Sequence, residues 1–79
     1  MKLELFKDQN CPFCQRVMKF IEESGRDDVV YRDIMEDRSN ADTLTEVGGK
    51  LMVPCLFIDG EPMYESIDIV NWLKEHPQG

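Results

Sequence analysis

Cys11 and Cys14 are the two residues of this 79-residue chain whose type and spacing can do chemistry. Two thiols separated by two residues can cycle between dithiol and disulfide, or they can hold a soft metal. Their setting favours redox cycling. Leu3, Leu5 and Phe6 read as a first strand over residues 2–7. Pro12 suits the first turn of a helix, because its missing N–H would be unpaired there in any case. Cys11-Pro12-Phe13-Cys14 therefore follows a strand and opens a helix. A thiol at that helix end meets unpaired N–H groups and the positive end of the helix dipole, which attract the charge of a thiolate. This position casts Cys11 as the nucleophile. Cys14, one turn inside on the same face and more buried, is the thiol that resolves a mixed disulfide on Cys11.

The metal alternative lacks ligands. A structural zinc needs four, usually from two CxxC-like knuckles, and only Cys11, Cys14, Cys55 and His76 are available. There is no second knuckle, and His76 in the last helical turn is placed to complement the helix dipole. No metal site is expected. Cys55 abuts the strand-like run Leu56-Phe57-Ile58, where a free cysteine acts as a small buried hydrophobe. The sharper reading is a thiol close enough to Cys11 and Cys14 to form an alternative disulfide or a small-thiol adduct under oxidation.

The elements that must position these thiols follow from periodicity. Phe13, Val17, Phe20 and Ile21 recur at helical spacing, and the helix stops at Ser24-Gly25. Val29-Val30-Tyr31 is a short strand, with Ile34 and Met35 just beyond it. Ser39 or Asn40 can cap a second helix that turns Ala41, Leu44 and Val47 inward and ends at Gly48-Gly49. Leu56-Phe57-Ile58 and Pro62-Met63-Tyr64 flank the tight turn Asp59-Gly60, so they form a hairpin. Ser66 caps a last helix burying Ile67, Val70 and Leu73, and Pro77 and Gly79 close the chain. The order is β-α-β-α-β-β-α. A right-handed βαβ unit plus an antiparallel hairpin requires a mixed four-stranded sheet with three helices, in one domain spanning 1–79.

Charge and cysteine use narrow the function classes. Nine basic against sixteen acidic residues leave −7, which argues against nucleic-acid binding and against docking to anionic membranes. Residues 1–25 balance at four basic and four acidic, so residues 26–79 carry the whole deficit. Lys7, Arg16 and Lys19 thus surround the thiol pair with a neutral third of an acidic chain, which suits a thiolate. Three cysteines are too few for a disulfide framework, and Met1-Lys2 leads straight into the first strand. A cytoplasmic protein is expected.

Three separated stretches together resemble the glutaredoxins of the thioredoxin-like superfamily. Cys11-Pro12-Phe13-Cys14 is similar to the family's CPYC. Gly49-Lys50-Leu51-Met52-Val53-Pro54 resembles its G-(R/K)-x-T-V-P segment, and Tyr64-Glu65-Ser66-Ile67-Asp68 stands where it has a GG-x-D-D loop. The resemblance implies a thioredoxin-like fold and a glutathione-dependent thiol–disulfide oxidoreductase working through Cys11 and Cys14. It implies a cis Pro54, with the backbone of Val53 pairing with glutathione as an added strand. The N–H groups of Ser66 and Ile67 would take the γ-glutamyl carboxylate, and Asp68 would face the amino group. Lys7 and Lys50 are candidates for the glycyl carboxylate, and Phe13 completes the glutathione contacts. Glutathione is then a co-substrate, no cofactor is bound, and the other partners of this monomer are disulfide-containing or glutathionylated proteins.

Departures from the pattern keep two rivals in view. Lys7 lies four residues before Cys11 where the family lysine lies three before. Met52 replaces a threonine, and Tyr64, Glu65 and Ile67 replace the paired glycines and the first aspartate. Glu65-Ser66 instead resembles the Glu/Gln-Ser pair of glutathione transferase amino-terminal domains. One rival is a thioredoxin-like donor served by a thioredoxin reductase. The other is a scaffold in which two chains share a [2Fe–2S] cluster through Cys11 and glutathione, which the rigid Pro12 disfavours.

Overall fold

The computed structural model describes residues 1–78; Gly79, read above with Pro77 as closing the chain, lies outside them. Seven elements run β1 (Leu3–Lys7), α1 (Pro12–Ser24), β2 (Val29–Asp33), α2 (Arg38–Gly48), β3 (Cys55–Ile58), β4 (Glu61–Tyr64) and α3 (Ser66–Glu75). The sheet order is β2-β1-β3-β4. β1 and β2 are parallel, as the crossover through α1 demands, while β1–β3 and β3–β4 are antiparallel. The expected mixed sheet and element order are both present.

The alternation along β1 sorts the core into two layers. Leu3 and Leu5 join Leu56 on one face, where Val17 and Ile21 of α1 and Ile69 and Leu73 of α3 cover them. Phe6 points the other way, beside Cys55 and Phe57, under Leu44 of α2. Each such aliphatic side chain contributes about 1.5–3 kcal/mol by leaving water, so the α1–α3 layer carries more of the stability than the α2 layer. The hairpin turns through Asp59 (φ 50°) and Gly60 (φ 87°), the two positive-φ positions that a twisted two-residue connection requires.

Several expected details are corrected. The cap of α2 is Asp37, not Ser39 or Asn40: its carboxylate accepts from the Ser39 N–H at 2.9 Å and the Ser39 hydroxyl at 2.7 Å. Ser66 is the first helical residue of α3, and Glu65 holds the cap position with φ 76° and no side-chain capping bond. With the helix so phased, Ile69 and Leu73, one turn apart, face the core. Ile67 is then 63% exposed and Val70 half-buried. On α1 the buried stripe is Cys14, Val17 and Ile21, and Phe13 is 57% exposed; on α2 only Leu44 is fully buried, and Val47 is exposed. β2 runs on to Asp33 because β1 continues to pair with it through Lys7.

Candidate active site

The loop from β1 to α1 is tied at both ends. Asn10 N–H donates to the Asp8 carboxylate at 3.0 Å, and the Gln15 side-chain amide donates to the Gln9 carbonyl at 2.8 Å. Cys11 is the N-cap of α1: its N–H donates to the Asp8 carbonyl at 3.0 Å, and its carbonyl accepts from Gln15 N–H at 2.9 Å. The sulfur of Cys11 is thus half-buried at the positive end of a 13-residue helix. Cys14 lies fully buried one turn in. Burial pushes the Cys14 thiol up to about 12; a backbone hydrogen bond from Asp8 works against this, and the hydrogen-bonded Cys11 sulfur adds to it. All three cysteines are free thiols. The pair is therefore asymmetric: Cys11 is half-buried at the helix end, and Cys14 is fully buried one turn beneath it.

Beside this helix end runs a groove of about 230 Å³. Phe13 and Arg16 of α1 form one wall, and Met52, Val53 and Pro54 form a second across a cis Val53–Pro54 bond. Glu65, Ser66 and Ile67 close it. The first helical bond of α3 runs from Ile69 N–H to the Glu65 carbonyl, which leaves the N–H groups of Ser66, Ile67 and Asp68 without an intrahelical acceptor. The groove therefore combines apolar walls, one guanidinium, the Glu65 carboxylate and a helix N-terminus, a set suited to an extended ligand that carries a carboxylate beside a positive group.

Of the residues singled out in the sequence, Phe13, Val53, Pro54, Ser66 and Ile67 come together here. Asp68 is exposed in the first turn of α3, outside the lining. Lys7 is turned away: its Nζ lies 3.0 Å from the Asp33 carboxylate, which also accepts from the N–H groups of Met35 and Glu36. Lys50 stacks its ammonium 4.6 Å from the Tyr64 ring centroid, while its carbonyl accepts from the Tyr64 hydroxyl at 3.0 Å. Neither lysine lines the groove. Arg16, Met52 and Glu65 do; the Glu65-Ser66 resemblance pointed to Glu65, whereas sequence reasoning had not placed Arg16 or Met52 there. Helical spacing was a usable signal for Arg16, which follows Phe13 by three residues. Cys55 is the buried hydrophobe of the α2 layer; burial pushes its thiol up to about 11, against a hydrogen bond with Tyr64. Among the described residues no three His, Cys, Asp or Glu side chains converge on a metal site, and no helix is long and apolar enough to cross a membrane.

A four-stranded mixed sheet with two helices on one face, one on the other and a CxxC pair at a helix start defines the thioredoxin-like class. The thioredoxin-like protein BC3987 superposes with a TM-score of 0.76 at 23% identity, over 91% of this chain and 99% of that one. The holo form of glutaredoxin C1 from Populus tremula x tremuloides gives 0.68 at 21% identity, over 92% and 73%. Rice GST1, solved in complex with glutathione, gives 0.74 at 30% identity, over 94% of this chain and 32% of that one. The profile of the glutathione S-transferase N-terminal domain matches residues 10–76, and the chain belongs to that family. It spans about a third of the rice enzyme and of glutathione transferase Omega 3C from Trametes versicolor. No curated protein sequence matches it significantly.

Proposed function

We propose that this protein is a glutathione-dependent thiol–disulfide oxidoreductase, acting as one domain through Cys11 and Cys14. The observation that carries the reading is the asymmetry of the pair, a half-buried Cys11 at a helix N-cap above a Cys14 thiol pushed up to about 12. The Cys11 thiolate attacks the glutathionyl sulfur of a mixed disulfide. A Cys11–glutathione disulfide forms, and the substrate sulfur leaves as a thiolate that takes a proton from water. A second glutathione, as thiolate, attacks the glutathionyl sulfur on Cys11, giving glutathione disulfide and freeing Cys11. The net exchange converts the mixed disulfide and one glutathione into the substrate thiol and glutathione disulfide. With a protein disulfide, the first departing thiolate takes the Cys14 proton, and Cys14 then attacks the Cys11 sulfur to expel the second. The resulting Cys11–Cys14 disulfide is reduced by glutathione.

In this reading glutathione lies in the groove, with a carboxylate at the Ser66 and Ile67 N–H groups and Arg16 supplying a positive charge that Lys7, held by Asp33, does not. Turnover of a glutathionylated peptide with glutathione and glutathione reductase tests it. Cys11→Ser should remove the rate. Cys14→Ser should keep peptide deglutathionylation within about twofold yet abolish reduction of a protein disulfide, because only the second reaction needs the resolving thiol. Turnover by the Cys11 variant would sink the mechanism. The capture of Lys7 by Asp33 favours one second reading, a donor reduced by a flavoprotein reductase. Fast reduction by thioredoxin reductase, with no glutathione-dependent rate, would put that reading first.

A further inference from the structure

Nine side chains of this acidic chain are basic, and four of them, Lys2, Lys7, Arg26 and Arg32, are paired with carboxylates. Of the five others, three line one groove. Arg16 and Lys19 stand one turn apart on α1, and Lys74 faces them from the last turn of α3, its Nζ 5.8 Å from the centroid of Phe20. Ile67 and Val70 supply the apolar floor with Phe20, and Glu23 is the one carboxylate in the lining. At about 420 Å³ this α1–α3 groove is larger than the one beside Cys11. Arg16 and Ile67 belong to both, so the two are continuous.

We propose that the α1–α3 groove docks the protein substrate, taking an acidic segment with apolar side chains that flanks the reacting cysteine. The proposal rests on the dithiol reading and names its partner class. Charge decides the occupant. A molecule of net charge −7 repels acidic ligands over most of its surface, and here three cations with no ion-pair partner among the described residues, against one carboxylate, reverse that locally. The walls reject a purely polar occupant, since Phe20, Ile67 and Val70 need apolar cover. Arg16 to Glu23 spans roughly 10 Å of helix, which matches about three extended residues. A second copy of this chain is the competing occupant, and the oligomeric state measured below separates the two.

Three glutathionylated peptides test the proposal, with the cysteine flanked on both sides by Glu-Leu-Glu, Ser-Leu-Ser or Lys-Leu-Lys. At low salt the acidic peptide should show a kcat/KM on the order of tenfold above the neutral one, and the gap should close in 0.5 M salt. Lys19→Glu/Lys74→Glu should erase the preference while leaving turnover of the glutathione–mercaptoethanol disulfide unchanged; Lys19→Gln/Lys74→Gln should reduce it in part. Equal rates for the three peptides would overturn docking, as would a preference that survives in the double variant. A salt-sensitive dimer lost in that variant would assign the groove to a second copy and overturn it too. If no disulfide is turned over, the dithiol reading fails by itself. Fluorescence anisotropy with thiol-blocked peptides then judges the groove: binding of the acidic peptide alone, lost in the variant, sustains docking, and no binding refutes it.

Discussion

At the scale of residues, the fold gives chemically identical groups different surroundings. Cys11 sits at a helix end, Cys14 beneath it, and Cys55 in an apolar layer, so three thiols have three fates. Lys7 shows the same dependence. The Asp33 carboxyl is buried, which alone would raise it, but hydrogen bonds from Glu36 N–H, Lys7 and Met35 N–H outweigh burial and hold it below the usual carboxylate range. A carboxyl lowered in the folded state contributes stability at neutral pH. That contribution fades as pH falls from the ordinary carboxylate value through the lowered one. Lys7→Met should therefore cost about 2 kcal/mol at pH 7, between the ranges for exposed and buried pairs, and distinctly less near pH 3. Urea unfolding at both pH values measures the difference; an equal cost at each would contradict the pairing.

At the scale of elements, α2 and β4 lock the segment that leads to Pro54. The Tyr64 hydroxyl lies against Gly48, where an added Cβ would collide with it, and the same hydroxyl donates to the Lys50 carbonyl. Alanine in place of glycine would ordinarily gain about 1 kcal/mol within a helix, but overpacking costs roughly 1–3 kcal/mol and should win. Gly48→Ala is expected to lower stability, and less so when introduced together with Tyr64→Phe. A double-mutant cycle by thermal unfolding reads that coupling, and additive effects would show that the hydroxyl is not the obstacle. The caps explain why this scale was only partly legible. Gly25 ends α1 as its sequence position indicates, but Asp37 and Glu65 took cap positions assigned to their polar neighbours. Several adjacent residues could cap each helix, and the choice followed from how the helix docks on the sheet.

At the scale of the whole molecule, stability is concentrated in the α1–α3 layer. Leu5, fully buried in the middle of β1, touches it from the sheet side. Leu5→Ala should cost about 3 kcal/mol, whereas Met35→Ala, at 72% exposure, should stay within about 0.5 kcal/mol. A chemical denaturation midpoint that moved equally for both would disprove the layer assignment. Local signals in the sequence determined the element order, the mixed sheet and the thiol pair at the start of α1, because each depends on periodicity, turn chemistry or neighbours a few residues apart. The tertiary structure alone decided that Lys7 goes to Asp33 rather than to the groove. It also decided that Arg16 joins Val53 and Ser66, and that cations from α1 and α3 line one groove. Those outcomes turn on distances between residues far apart in the chain, which exist only once the sheet has registered and the helices have packed on it.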